Sequence, residues 1–227
     1  MYNKIIQEYR IKKKSFILKK EKFMLRIYFV RHGETVWNTL KIFQGRSNSP
    51  LTELGIEQAK KLSKALENID FKKVYSSPQE RALQTTKLLL GNRDMNIIPI
   101  DEFQEINMGK VEGIPREEFE KNYPIEYHNF WNNAEKYDPT AYNGESYEEV
   151  LDRVRVGLNK LVQENSDGNI LVISHGVTLK ALFNIINEKG IDEFSKQPVP
   201  ENTSTTIVEY DSNGFKIVKF SDTEHLN

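Results

Sequence analysis

Arg26-Ile27-Tyr28-Phe29-Val30-Arg31-His32-Gly33-Glu34-Thr35 decides the reading of this chain. Ile27 to Val30 is an apolar run rich in β-formers, the pattern of a buried strand. The run breaks at Arg31-His32-Gly33. A strand that ends this way faces the open edge of a sheet, where α/β folds place their ligands. Arginine offers a fixed fork of donors suited to phosphate, and glycine permits close approach. Asn38 follows as a further donor. The set predicts a histidine nucleophile with an anion clamp beside it.

Outward from this stretch, strands and helices alternate, which predicts an α/β layered domain. Thr52 is placed to cap a helix to about Asn68, with Leu54, Ala59, Leu62 and Leu66 as its apolar stripe. Lys73 to Ser76 reads as a short strand. Ser77-Pro78-Gln79-Glu80 reads as a capping box with proline at the first helical position, which puts Arg81 in the first turn. Asn96 to Ile100 is a third strand. From about 101 to 143 the pattern turns irregular, with helices near 115–122 and 125–132. Ser146 and Glu149 form another capping box, opening a helix to about Glu164. Asn169 to Ser174 is a strand that breaks at His175-Gly176, and Val177 to Lys189 returns as a helix stopped by Gly190. Thr205–Tyr210 and Phe215–Phe220 close as a hairpin.

Four further motifs follow the first in order. They are Ser76-Ser77-Pro78-Gln79-Glu80-Arg81-Ala82, Glu105 in a Glu-x-x-x-Gly-x-x-Glu-Gly run ending at Glu112-Gly113, Gly144-Glu145-Ser146, and Ser174-His175-Gly176. Together with Arg31-His32-Gly33 they resemble the histidine phosphatase superfamily, also called phosphoglycerate-mutase-like, over roughly Leu25 to Tyr210. The resemblance implies a three-layer α/β/α sandwich with a mostly parallel sheet and a lid excursion over its active-site end. It implies that His32 attacks phosphorus to form a phosphohistidine, that Arg31, Arg81 and His175 hold the phosphoryl oxygens, and that Glu105 moves the proton. Asn38, Gln44, Gly45 and Gly176 match substrate-binding positions. Val111 stands where the family often carries tryptophan.

Other residues keep two readings. His175 alone could cap a helix, and Glu105 alone could be a solvated loop carboxylate. Glu145 either orients an arginine or complements a helix dipole. His128 is packing or substrate-facing, and His225 is a solvated terminal residue. The excursion carries Lys110, Arg116, Lys121 and Lys136 against a larger number of acids. An acidic lid suits a bisphosphorylated ligand poorly, so a phosphomonoesterase for a small phosphorylated metabolite is favoured. A 2,3-bisphosphoglycerate-dependent phosphoglycerate mutase is the alternative, and a non-catalytic phospho-ligand binder the third. Tyr123, Tyr127, Phe130, Trp131, Tyr137 and Tyr142 either line an apolar cleft or pack the lid down.

Composition sets the outer limits. The 227 residues suit one domain, 38% hydrophobic and 29% charged. A net charge of -1 gives no field to gather nucleic acid or an anionic membrane. Cysteine is absent, which excludes thiolate chemistry and fits a reducing cytoplasm. No metal-ligand spacing and no Gly-x-x-x-x-Gly-Lys-Ser/Thr loop occur, so neither metal nor cofactor is expected. A monomer or homodimer is expected.

Residues 1–23 stand apart. Eight basic side chains face two acidic ones there, without an amphipathic period. Lys19-Lys20-Glu21-Lys22 can be encoded by codons containing a bacterial ribosome-binding sequence, directly before Met24. The expectation is a disordered basic extension or translated leader, with a single domain over 24–227; a basic arm for anionic partners is the competing reading.

Overall fold

The computed structural model describes residues 24–227, so the expectations for 1–23 lie outside the described residues. Six strands form one sheet: β1 (Leu25–Arg31), β2 (Phe71–Ser76), β3 (Ile97–Pro99), β4 (Gly168–Ser174), β5 (Thr205–Asp211) and β6 (Gly214–Asp222). Their spatial order is β3-β2-β4-β1-β5-β6. The pairs β1·β4, β4·β2 and β2·β3 are parallel, whereas β5 and β6 add an antiparallel edge.

The helices are α1 (Val36–Thr39), α2 (Glu53–Ala65), α3 (Glu80–Leu90), α4 (Arg116–Asn122), α5 (Pro124–Asn132), α6 (Tyr147–Glu164) and α7 (Gly176–Ile186). They sit on both faces of the sheet, and the strand sequences show why. In β1, Leu25, Ile27 and Phe29 point one way and meet Val154 and Leu158 of α6 and Leu182 of α7. Tyr28 and Val30 point the other way and meet Leu62 of α2 and Leu89 of α3. A strand covered on both faces reads as a continuous apolar run. Burial of each such side chain contributes about 1.5–3 kcal/mol.

Several boundaries depart from the sequence expectation. α2 ends at Ala65, and Leu54 is 50% exposed. The buried face runs through Gly55, Ala59 and Leu62, one position round from Leu54, because the helix lies directly on the backbone of Glu34. A Cβ on Gly55 would stand 2.2 Å from the Glu34 carbonyl oxygen. α3 starts at Glu80, capped by the Gln79 backbone without a side-chain bond. The Ser77–Glu80 capping box does not form, because the Ser77 hydroxyl is turned to His175 and Gln79. Arg81 is in the first turn as expected. α7 stops at Ile186 rather than Lys189, where the Asn184 amide takes the carbonyls of Lys189 and Gly190. The Ser146–Glu149 capping box does form and opens α6.

The excursion from Asp101 to Asn143 consists of short 3₁₀ turns with α4 and α5. It is pinned through residues 41–43. Gly113 N–H donates to the Phe43 carbonyl at 2.9 Å, Phe43 N–H to Ile114 at 3.2 Å and Arg116 N–H to Lys41 at 3.0 Å. Ile42 and Pro115 form an isolated antiparallel bridge. Tyr123, Tyr127, Tyr137 and Tyr142 belong to the packing of this layer, with Tyr142 fully buried against Phe119 at 5.4 Å between ring centroids. Val111 is buried as well. Among the described residues no helix is long and apolar enough to cross a membrane.

Candidate active site

The three central parallel strands end at the same edge, and each delivers one part of a site. Arg31 and His32 leave β1, Ser77 leaves β2, and His175 leaves β4. His32 is buried at 2% exposure. Its backbone is tied on both sides: its N–H donates to the Ser174 carbonyl at 3.0 Å, and its carbonyl accepts from Asn202 Nδ2 at 2.9 Å. Its Nδ1 lies 2.7 Å from the Gly33 carbonyl oxygen. A carbonyl only accepts, so Nδ1 carries the hydrogen and Nε2 keeps its lone pair. Burial, then the charges of Arg81 and Arg31, hold the imidazole well below its ordinary pKa. The ring is neutral and one nitrogen is free to act as a base or nucleophile.

Two guanidiniums flank the ring. Arg81 is 1% exposed and spends Nη1 on the Ser47 carbonyl at 2.6 Å and Nη2 on Gly45 at 2.8 Å. Arg31 donates Nη1 to the Pro200 carbonyl at 2.7 Å. The Nε of each is buried without a partner. Burial lowers both pKa values, Arg81 to about 10, and the Glu105 charge partly opposes the shift. Both remain cations at neutral pH. Gly45 is at φ +50°, and a Cβ there would collide with the Glu112 carboxylate.

His175 caps α7, and its ring centroid is 5.1 Å from that of His32. Its Nε2 lies 2.7 Å from Ser77 Oγ, and its Nδ1 is buried without a partner. Burial, then Arg81, depresses its pKa well below the ordinary value. The Glu105 carboxylate sits on the N-terminus of α7, accepting from the N–H groups of Val177 at 3.1 Å and Thr178 at 3.0 Å, as well as Thr178 Oγ1 at 3.1 Å. An anion is well placed at a helix N-terminus. Glu105 is therefore a held carboxylate in the pocket and not a solvated loop residue.

The pocket encloses about 100 Å³ and gathers Arg31, His32, Arg81 and Glu105 with Asn38, Gln44, Gly45 and Gly176. Asn38 Oδ1 accepts from the Thr35 N–H at 3.1 Å, which leaves its amide NH₂ for a ligand. Gln44 is buried with Oε1 unpartnered. A Cβ on Gly176 would stand 3.0 Å from Val199 Cγ1 and in ordinary contact with the Arg31 guanidinium at 3.6 Å.

The remaining residues are placed as follows. Glu112 accepts from the N–H groups of Arg46, Ser47 and Met108 and from Ser47 Oγ, and it ties loops together away from the pocket. Glu145 orients Arg153, at 2.6 Å from its Nε, and Arg153 in turn holds the carbonyls of Glu102 and Gln104 beside Glu105. His128 is exposed on α5 and does not face the pocket. His225 is half-buried, with its pKa lowered mainly by burial. Phe130 and Trp131 line the pocket, whereas the lid tyrosines do not. None of the excursion's acids beyond Glu105 lines it either. Lid acidity therefore does not describe the surface a ligand meets, because Arg116 turns inward while Glu117, Glu118 and Glu120 face solvent.

Sequence reasoning missed three residues. Gln79 joins the Gly45 carbonyl, the Glu105 N–H and Ser77 Oγ, and its only signal was its place inside the Ser-Pro-Gln-Glu-Arg motif. Asn202 holds the His32 carbonyl from a distant loop that carries no motif. Arg116 was legible only as one lid charge among many.

Known proteins resemble this chain in sequence and fold. The sequence profile of the histidine phosphatase superfamily (branch 1) matches residues 27–223. "Uncharacterized phosphatase PhoE" of Bacillus subtilis is 28% identical over 204 residues, 90% of this chain and 98% of its own. "Probable phosphoglycerate mutase GpmB" of Yersinia pestis is 29% identical over 210 residues, 90% of this chain and 96% of its own. The solved structure of Bacillus stearothermophilus YhfR matches with a TM-score of 0.86 at 32% identity, covering 89% of this chain and 100% of that one. With the family profile spanning the sheet and every element of the pocket, this chain belongs to the histidine phosphatase superfamily, branch 1.

Proposed function

We propose that the chain hydrolyses small phosphate monoesters through a phosphohistidine on His32. The observation that carries this reading is the neutral His32 ring, fixed by Gly33 with Nε2 free, between two buried guanidiniums. Nε2 attacks phosphorus and the ester P–O bond breaks. Glu105, protonated by the monoanionic phosphate ester as it binds, gives that proton to the departing alcohol oxygen. Water then attacks the phosphohistidine, Glu105 takes a proton back, and inorganic phosphate leaves with the histidine restored. The unspent Nε donors of Arg31 and Arg81 and the Asn38 amide bear on the charge of the phosphoryl oxygens, while His175, which does not line the pocket, packs its ring 5.1 Å from that of His32. These fixed cations supply the charge that a metal supplies in other phosphatases.

Hydrolysis is favoured over a mutase reaction because, among the described residues, the wall beyond the phosphoryl site offers a single cation, Arg116, among Phe43, Phe130 and Trp131. A bisphosphorylated intermediate held away from water needs more positive charge than that.

The test measures phosphate release from a panel of phosphorylated metabolites beside a coupled mutase assay, with wild type and His32→Ala. Wild type is expected to release phosphate and to carry an acid-labile, alkali-stable phosphoryl group after brief exposure to labelled substrate. His32→Ala, folded, should do neither. A variant keeping a tenth of wild-type activity removes His32 from the nucleophile role. Phosphoglycerate isomerisation faster than phosphate release makes the chain a mutase.

A further inference from the structure

Gln79 is buried and stands at the N-cap of α3. Asparagine, aspartate, serine and threonine are the side chains that cap a helix well. The Gln79 side chain makes no bond to the helix it precedes. Its amide reaches elsewhere. Oε1 accepts the N–H of Glu105 at 2.7 Å, and Nε2 donates to the Gly45 carbonyl at 2.9 Å. A peptide N–H only donates and a carbonyl only accepts, so the two partners fix the amide in one orientation.

Both partners belong to the phosphoryl site. The Gly45 carbonyl also accepts Nη2 of Arg81 at 2.8 Å, so the anion clamp and Gln79 share one anchor. Ser77 Oγ, the partner of His175, lies 3.4 Å from the same Gln79 oxygen. Residues 104–108 form neither helix nor strand. Side chains take main-chain N–H groups there instead: Glu145 takes Asn107, Glu112 takes Met108 and Gln79 takes Glu105. Of these three acceptors, Gln79 is the one that stands on the turn leading into Arg81. Glu105 is therefore held at two ends. The N-terminus of α7 holds its carboxylate through Val177 and Thr178, and Gln79 holds its peptide. Proton transfer requires the carboxyl oxygen within hydrogen-bond reach of the leaving oxygen, and a misplacement of about 1 Å costs on the order of 10²-fold.

Resting on the phosphatase reading above, we propose that Gln79 is a positioning residue for proton transfer: by tying the Glu105 peptide to the carbonyl that anchors Arg81, it sets the acid at a fixed distance from the phosphoryl group. Gln79 does not line the pocket, so it acts through Glu105 and not on the substrate. Without it Arg81 keeps both of its carbonyl partners, Ser47 and Gly45.

Phenyl phosphate and p-nitrophenyl phosphate test this, because they differ only in how much the leaving group needs a proton. Gln79→Met keeps the length of the side chain and removes both hydrogen bonds. Gln79→Asn keeps an amide that is one methylene too short to span both partners. In each variant kcat/KM for phenyl phosphate should fall by at least about tenfold and that for p-nitrophenyl phosphate by less than about threefold. The loss should lie in kcat, with KM and the vanadate inhibition constant within about threefold of wild type. A purely structural role would lower both esters together with Tm. Equal losses on both esters, or no loss on either, overturn the assignment while leaving the phosphatase reading standing, since wild type still releases phosphate. Wild type that hydrolyses p-nitrophenyl phosphate alone lacks the proton transfer and overturns the assignment too. If one variant does not fold, the other decides; failure of both to fold makes Gln79 a structural residue and overturns the assignment. No phosphate from wild type with either ester, nor with the metabolite panel, overturns the parent reading and this assignment with it.

Discussion

Ser77 Oγ lies 2.7 Å from Nε2 of His175, both groups fully buried. The hydroxyl also meets Gln79, so the imidazole is held from a strand end 98 residues away. This contact takes the place of the helix cap that the Ser77-Pro78-Gln79-Glu80 motif predicts.

Ser77→Ala should therefore act on catalysis before the fold. A buried ring nitrogen loses its partner, at a cost of about 1–3 kcal/mol. The helix below loses no cap, because none exists there. The expected result is a kcat lowered by about tenfold with a modest drop in Tm. Unchanged kcat would show that His175 needs no orienting hydroxyl.

Glu105→Gln should separate leaving groups. An alkoxide needs a proton on departure and p-nitrophenolate hardly does. If dephosphorylation is not limiting, turnover of alkyl esters should fall by about 10²–10⁴-fold and that of p-nitrophenyl phosphate far less. Equal losses on both would leave acid catalysis without support. No loss on either would move the role away from Glu105, and Glu112 is not the substitute, since it does not line the pocket.

Stability of the unliganded protein should depend on pH in a definite direction. His32 and His175 both have folded pKa values well below the ordinary 6.5. Between the folded value and 6.5 the unfolded chain binds more protons, so acid favours unfolding. The unfolding free energy should be level above about pH 7 and fall as pH drops below 6.5, by up to about 2.7 kcal/mol per pH unit for the two rings. Urea midpoints at pH 7.5 and 5.5 measure this, and His32→Asn should halve the slope. A midpoint that does not move would mean the rings titrate alike in both states.

Gly55→Ala should damage the site from outside it. The added Cβ would stand 2.2 Å from the Glu34 carbonyl oxygen and 2.8 Å from its nitrogen. That backbone follows His32 by two residues. Overpacking of this kind costs about 1–3 kcal/mol, and a shifted loop moves Nε2 of His32. Thermal melts and kcat should both fall. A variant with native melting and activity would show that α2 can move aside freely.

How much of this was legible in the sequence depends on how far each contact reaches. Arg31, His32 and His175 sit at strand ends, and a strand end is visible locally as an apolar run that breaks. Arg81 was legible because it lies one residue inside a helix that starts just past β2. The fold class followed from the same alternation of runs. Gln79, Asn202 and Arg116 were not legible, since each is defined by a partner far along the chain. Gln79 reaches Gly45 across 34 residues, and Asn202 reaches His32 across 170. Leu54 misled because a one-residue rotation of the buried face of α2 depends on how closely the backbone of Glu34 approaches, which periodicity does not encode.

The hydrogen bonds that attach residues 113–116 to residues 41–43 join main-chain groups. The width of the cleft is thus set by peptide units that every side chain shares. Arg116 and Trp131 project from that frame over Phe43, which is itself part of the buried core. A lineage carrying this frame can exchange them one at a time and visit new leaving groups, while the phosphoryl end, anchored in the buried sheet, goes on working through each change.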